Sequence, residues 1–156
     1  MTADRATIDE LLAQERLLLM GASTDEKAFS RAVMRELLEK GYDVVPVNPH
    51  VEGPIEGREA YTDVAHVPGE VGAAIVMTSA EHAADAVREC LAAGVPRIWL
   101  HRGAGPGSVS DEAIALCREA GVPLVAGECP LMFVKEAGFV HRVHRFGKKV
   151  AGTLPQ

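Results

Sequence analysis

Short apolar runs alternate with longer amphipathic stretches along the chain. The five runs are Leu17–Met20, Val44–Val47, Ala73–Met77, Arg97–Leu100 and Pro123–Ala126. They are nearly continuous rather than alternating with polar residues, which is typical of strands covered on both faces. The pattern therefore predicts parallel strands in the interior of the protein.

The stretches between these runs carry apolar residues at helical spacing. The predicted helical stripes are Phe29, Val33, Met34, Leu37 and Leu38; Ala80, Ala84, Val87 and Leu91; and Ala113, Leu116, Cys117 and Ala120. A further N-terminal helix is predicted within residues 1–15. Gly41, Gly94 and Gly121 each stand just before a strand, where a helix commonly ends in a left-handed residue.

Alternating strands and helices predict an α/β fold: a doubly wound parallel sheet of five to six strands in three layers. Residues 49–69 are rich in glycine, proline and charge, and are interpreted as a surface connection with a short edge strand near Gly57–Ala60. At 156 residues the chain is expected to form a single domain spanning 1–156, with 147–156 as a loose tail.

Composition and charge narrow the class of protein. The net charge of −6 disfavours a general nucleic-acid or anionic-membrane surface. No apolar run approaches the roughly 18 residues of a membrane span, and the polar N-terminus lacks the apolar core of a secretory signal. The expected location is the cytoplasm, and a homo-oligomer is left open. The three cysteines are too few and too far apart for a disulfide framework.

The topology predicts where a ligand would bind. In an open parallel sheet, ligands bind beyond the carboxyl ends of the strands, where the strand order reverses. For the order 3-2-1-4-5 this point lies between the first strand and the fourth. The loops expected to meet there are Gly21–Thr24, Asn48–His50 and Met77–Ser79.

Two interpretations compete for the loop after the first strand. Backbone N–H groups of a helix opening after Gly21, with the Ser23 hydroxyl, would form an anion site. Lys27 and Arg31 would share one helical face and supply local positive charge. Alternatively, Ser23 and Glu26 form a capping box and nothing more. Capping pairs of the same kind are predicted for Thr78 with Glu81 and for Ser108 with Asp111.

A dinucleotide site is disfavoured. It requires G-x-G-x-x-G and an acidic residue closing the second strand. Positions 21, 23 and 26 are instead Gly, Ser and Glu, and the second strand ends Val47-Asn48-Pro49.

Four segments together resemble the stand-alone coenzyme A-binding domain family, which is similar to the N-terminal CoA-binding domain of the succinyl-CoA synthetase α-subunit. These segments are "GAS", "GYDVVPVNP", "WLHRGAGPGSVSDEA" and "AGECPLMF", and the resemblance runs from about Leu17 to Phe146. It implies a Rossmann-like sheet that binds CoA or an acyl-CoA where the strand order reverses.

The resemblance also implies roles for particular loops. Gly21, Ala22 and Ser23 would cradle the diphosphate of CoA. Asn48 and Pro49 would lie at the adenosine. Thr78 and Ser79 would close the opposite side of the site. The chain departs from the family at Glu128-Cys129-Pro130, where an arginine or asparagine usually stands beside the cysteine, so no role is carried over to Cys129.

No residues are assigned to catalysis or to a metal. A metal site could in principle be formed by His101, His141, His144 and Cys129, but "HRVHRFGKK" is better explained as a basic solvated segment. The leading hypothesis is a CoA-binding module for sensing, buffering or delivery. The alternatives are an NAD(P)-dependent oxidoreductase, a CoA-ligase subunit that needs a partner, and an interaction domain with a vestigial nucleotide site.

Overall fold

The computed structural model describes residues 4–102 and 107–134. The strands are β1 (Arg16–Met20), β2 (Asp43–Val47), β3 (Ala73–Val76), β4 (Ile98–His101) and β5 (Leu124–Glu128). The helices are α1 (Arg5–Leu12), α2 (Phe29–Glu39), α3 (Ala80–Ala92) and α4 (Asp111–Ala120), with a short 3-10 helix at Val64–His66. Within these residues every helix is too short or too polar to cross a membrane. The predicted tail at 147–156 lies outside the described residues.

All five strands are parallel, in the order β2-β1-β3-β4-β5. Strands are therefore added on one side of β1 first and then on the other, as in a doubly wound sheet. The order in which strands are added reverses between β1 and β3. Leu18 of β1 pairs with Val45 of β2 on one side and with Ala74 of β3 on the other. The predicted fold class is confirmed.

The predicted edge strand near Gly57–Ala60 does not form. Glu56 and Gly57 both have positive φ, at 49° and 73°, and Ile55 and Arg58 exchange backbone hydrogen bonds of 2.9 Å around them. This tight turn reverses the chain where an extended segment was expected. Only Tyr61 reaches the sheet, through a single parallel bridge to Val47. The predicted order 3-2-1-4-5 counted this edge strand as the third strand, and in the structure only the bridge is found there.

Each strand contributes to two separate cores because successive side chains point to opposite faces. Leu17 and Leu19 pack on one face with residues of α1 and α2. Leu18 and Met20 pack on the other face with residues of α3 and α4. The continuous apolar runs in the sequence thus correspond to a sheet that is covered on both sides, in three layers.

The three predicted helix ends are confirmed. Gly41, Gly94 and Gly121 follow α2, α3 and α4 with φ of 92°, 78° and 69°. This left-handed conformation costs little at glycine, which has no Cβ.

Helix α1 packs against elements that are distant in sequence. Ile8, Leu11 and Leu12 are buried in the same core cluster as residues of β4 and β5. The Tyr42 hydroxyl donates a hydrogen bond of 2.6 Å to the Leu12 carbonyl oxygen. The N-terminal helix predicted within residues 1–15 thus occupies the shorter span Arg5–Leu12 and buries its apolar face.

Candidate functional site

The loops after β1 and β2 are tied together at the carboxyl end of the sheet. The backbone N–H groups of Gly21 and Ala22 both donate to the Val47 carbonyl oxygen, at 2.9 and 3.2 Å. The Asn48 Nδ2 donates to the Ala22 carbonyl oxygen at 2.7 Å, and its Oδ1 accepts from the His50 N–H at 2.8 Å. The Asn48 side chain therefore braces the two loops against each other.

The loop after β3 lies directly against the loop after β1. The Met77 N–H donates to the Met20 carbonyl oxygen at 2.8 Å. A Cβ at position 21 would lie 2.9 Å from the Thr78 backbone nitrogen, and Gly21 has φ of 84°. Contact distance and conformation thus both require glycine here. The structure brings together the three loops that the topology predicted.

The capping-box interpretation of Ser23 is wrong. Helix α2 begins at Phe29, and its N-cap is Ala28, which makes no side-chain cap hydrogen bond. The Ser23 hydroxyl oxygen instead accepts from the Asp25 N–H at 3.0 Å, which closes a local turn. Because no side chain caps α2, the positive end of this helix remains available to an anion.

The Ser23 backbone N–H donates to the Ser30 hydroxyl oxygen at 3.0 Å. The N–H groups of Gly21, Ala22 and Ser23 are therefore all used within the protein. A ligand at this loop would be held by hydroxyl groups and by the first turn of α2 rather than by these three amides.

The expected shared face of Lys27 and Arg31 does not exist, because Lys27 lies in the turn before α2. Arg31 is buried, and its Nε contacts the Glu56 carboxylate at 3.1 Å. Its guanidinium also donates to the carbonyl oxygens of Ser23 and Thr24 at 3.3 and 3.4 Å. Arg31 therefore holds the loop in place, while exposed Lys27 carries a charge that faces solvent.

Glu56 accepts from two arginines at once. Its Oε1 lies 2.6 Å from Arg35 and 3.1 Å from Arg31. Burial opposes the charge of this carboxyl, but the hydrogen bonds from Arg35 and Arg31 outweigh it and keep the pKa of Glu56 below its usual value. The ion pairs fix the turn at Glu56 against α2, beside the candidate site.

Two of the cavities in the described part of the chain lie at opposite ends of the sheet. One of about 390 Å³ lies at the carboxyl end, between Thr24, Arg31 and the loop 50–55. A larger one of about 670 Å³ lies toward the amino ends of β3 and β4, between residues 64–71 and 92–96. Of these two, only the first includes residues of the predicted site. It also lies at the carboxyl end of the parallel sheet, where ligands bind. Although its volume is smaller, it is therefore the better candidate for the predicted ligand site.

The predicted caps at Thr78 and Ser108 are wrong, since Ser79 and Ser110 occupy the N-cap positions of α3 and α4. Ser110 accepts from the Ala113 N–H at 3.1 Å. Ser108 is fully buried, and its hydroxyl donates to the Thr78 carbonyl oxygen. This bond ties the loop after β4 to the loop after β3, and so extends the site toward β4.

His101, considered in the sequence only as a metal ligand, ends β4 on this edge. Its side chain is 8% exposed, and its Nε2 finds no hydrogen-bond partner in the described parts of the chain. Such a buried unpaired group costs roughly 1–3 kcal/mol. Burial lowers the pKa of His101 and so favours the neutral form of the ring.

Phe29 packs on His101, with ring centroids 5.4 Å apart and planes inclined by 43°. It was predicted on the buried stripe of α2 but is 51% exposed. The difference arises at the first residue of α2, where the ring packs on His101 and is not part of either core cluster. In the sequence, the signal that could have drawn attention to His101 was a polar residue at the end of a buried strand.

No group of three or more histidine, cysteine, aspartate or glutamate side chains that could hold a metal occurs within residues 4–102 and 107–134. His141 and His144 lie outside these residues.

Cys90 and Cys117 are buried, whereas Cys129 is partly exposed. Burial raises the pKa of Cys90 to about 12 and that of Cys117 to about 11. We therefore expect iodoacetamide at pH 8 to label Cys129 first, because only a thiolate in contact with solvent reacts. Peptide mapping by mass spectrometry after partial labelling would measure this. Equal labelling of all three thiols under native conditions would contradict the buried positions, and labelling in denaturant serves as the control.

Both the sequence and the fold are similar to those of known proteins. Residues 15–135 match the family model described as a CoA binding domain. The chain is 25% identical over 126 residues to the uncharacterized protein YneT of Bacillus subtilis, covering 80% of this chain and 90% of that protein. It is 27% identical over 130 residues to the subunit alpha of an ADP-forming acetate–CoA ligase of Pyrococcus furiosus. That match covers 78% of this chain and only 28% of the ligase subunit.

Among solved structures, a hypothetical protein from Pyrococcus horikoshii shares the fold with a TM-score of 0.76 and 28% identity. The superposition covers 85% of this chain and 90% of that protein.

Proposed function

Because the chain belongs to the CoA binding domain family, we propose that it binds coenzyme A or an acyl-CoA at the carboxyl end of the sheet, between β1 and β3. The observation that carries the proposal is the close approach of three loops there, with Gly21 packed on the Thr78 backbone beside the uncapped start of α2. Binding would serve sensing, buffering or delivery of the ligand.

The diphosphate would lie at the loop Gly21–Thr24. Its charge is met by the positive end of α2 and by exposed Lys27, which stands just before that helix. Ser23 offers a hydroxyl proton, since the oxygen of that group already accepts from Asp25. Arg31 takes part as a positioning residue, because its guanidinium holds the carbonyl groups of Ser23 and Thr24.

The remaining site residues flank this loop. Asn48 and Pro49 would lie beside the adenosine, with the Asn48 side chain as a brace rather than a direct contact. Thr78 and Ser79 would border the other side. Asn48 stands where a dinucleotide site needs a carboxylate for the ribose hydroxyls, which supports CoA over NAD.

We expect free CoA to raise the melting temperature while NAD and NADP leave it unchanged. A ligand at about 100 times its dissociation constant stabilises the folded state by roughly 2.7 kcal/mol. For a chain of this size, that corresponds to roughly 5–10 °C. Differential scanning fluorimetry with each nucleotide at equal concentration would measure it. Equal shifts with NAD and CoA would refute the assignment, and no shift with CoA would argue against a nucleotide site.

A second candidate is the CoA-binding part of a ligase, which the similarity to the acetate–CoA ligase subunit favours. Co-purification with an ATP-binding ligase subunit would support this candidate. Binding of CoA by the chain alone, with no such partner recovered from its native source, would favour the binding module.

A further inference from the structure

We infer that the cavity at the amino ends of β3 and β4 is a second ligand site, which takes a small organic cation with an ammonium group on an apolar body. This cavity lies at the opposite end of the sheet from the proposed CoA site, so the inference does not depend on that function. Its volume of about 670 Å³ is within the range of roughly 300–1,000 Å³ that is usual for small-molecule sites.

The wall of the cavity is largely apolar and is continuous with a core of the protein. Leu18, Val64 and Val95 line the cavity and are buried in the core cluster between the sheet and helices α3 and α4. Val67 and Val71 also line it, but they are only half-buried. The two valines therefore leave apolar surface open to the cavity. A ligand with an apolar body would remove this surface from water, which favours binding.

Two carboxylates, those of Glu70 and Glu89, also line the cavity. Glu89 is half-buried, and its Oε1 accepts from the Val64 N–H at 2.6 Å. Within the described part of the chain, neither glutamate forms an ion pair, and the second oxygen of Glu89 accepts no hydrogen bond. A carboxylate offers about four acceptor positions. Both groups can therefore accept from an ammonium ion in the cavity.

The end of helix α3 adds to this negative charge. Residues 92–94 line the cavity and form the last position of α3, its C-cap and the glycine that follows. The C-terminus of a helix carries a partial negative charge, and the last turn of α3 contains no basic residue that would balance it. The carboxylates and the helix end both favour a cation and oppose an anion such as CoA.

Two arginines lie close to this edge of the sheet, but their charges are balanced elsewhere. The Nε of Arg16 lies 3.2 Å from Asp43, and its Nη1 donates to two carbonyl oxygens of the segment 64–71, at 2.7 and 2.9 Å. The Nε of Arg97 lies 2.8 Å from Glu10. Arg16 thus shapes the wall through its backbone contacts, and the carboxylates of the cavity still need a counter-charge.

Three compounds with one ring system test the preference for a cation. Tryptamine, tryptophol and indole-3-propionate end in an ammonium group, a hydroxyl group and a carboxylate at pH 7. In ¹H–¹⁵N NMR titrations we expect tryptamine to shift the amide signals of residues 64–71 and 92–95 and to spare those of the Gly21–Thr24 loop. It should bind about tenfold more tightly than tryptophol, because its hydrogen bonds to carboxylates are charge-assisted. Indole-3-propionate should not bind.

Matched variants assign the effect to the cavity. The double variant Glu70→Gln/Glu89→Gln removes both charges and keeps an acceptor for the Val64 N–H. It should bind tryptamine about tenfold more weakly and tryptophol unchanged. Glu39→Gln removes an exposed charge from α2, on the other face of the sheet, and should change neither affinity. Ala92→Phe fills the cavity from an exposed position, so it should fold and bind neither compound.

Equal affinities for tryptamine and tryptophol, or unchanged tryptamine affinity in the double variant, would overturn the cation preference. Amide shifts that are absent or lie outside the cavity wall would overturn the site itself. A CoA titration of Ala92→Phe keeps this result separate from the proposed function, because filling this cavity should leave CoA binding as it is in the unmodified protein.

Discussion

Ser23→Asp is expected to lower the affinity for CoA by at least about a hundredfold, because it places a carboxylate where the diphosphate would lie. Like charges held together in a partly desolvated site cost several kcal/mol. The fold should survive, since an aspartate oxygen can accept from the Asp25 N–H in place of the serine hydroxyl oxygen. Isothermal titration with CoA, alongside circular dichroism of the free protein, would measure both effects.

Ser23→Asn is the matched control. Its side chain is close in size to aspartate and keeps an acceptor for the turn, but it has no charge. It should retain most of the affinity. If a folded Ser23→Asp protein bound CoA as tightly as the unmodified one, the Gly21–Thr24 loop would be a turn only, and the ligand would lie elsewhere.

Gly21→Ala is expected to destabilise the protein by roughly 3 kcal/mol, because two costs act together. A left-handed φ of 84° is unfavourable for alanine, and its Cβ would lie 2.9 Å from the Thr78 backbone nitrogen. The loop after β3 would have to move away from β1. Urea denaturation would give the change in the free energy of unfolding.

Gly94→Ala separates these two costs. Gly94 has a similar φ of 78°, but a Cβ there would meet no atom within 4 Å. This variant should lose only the conformational part, about 1–2 kcal/mol. Equal losses in the two variants would mean that the loops after β1 and β3 are not in tight contact.

The strands, and the edge of the sheet where the three loops meet, could be predicted from the sequence because the signals of the strands are local. A run such as Leu17–Met20 is apolar at every position, and burial on both faces requires that of a parallel strand. Once alternation of strands and helices is established, the right-handed crossover rule leaves few topologies. The three loops of the candidate site followed from this topology alone.

The start of α2 could not be predicted because tertiary contacts decide it. Ser23-Thr24-Asp25-Glu26 has the composition of a capping box, yet Ser23 is engaged with Ser30 and Asp25 instead. The prediction that Arg31 supplies free positive charge was wrong for a similar reason. Its partner Glu56 is distant in sequence, so a residue that reads as free positive charge is already paired.

His101 illustrates a different difficulty. Its residue type and position at a strand end were visible, but the missing partner of its Nε2 is a property of the packed structure. Only the surroundings, with Phe29 on one side and the Ser108 backbone on the other, distinguish it from an ordinary core histidine.

The attachment of α1 to late elements has a consequence for synthesis of the protein. Its residues Ile8, Leu11 and Leu12 pack in one cluster with Trp99 of β4 and Val125 of β5. A ribosome adding about 5–20 residues per second needs roughly 6–22 s to make the intervening chain. During this interval the apolar side of α1 lacks part of its final packing. We therefore expect the nascent chain to bind chaperones through α1 until β5 emerges. The core cluster that contains α1 would then be completed last.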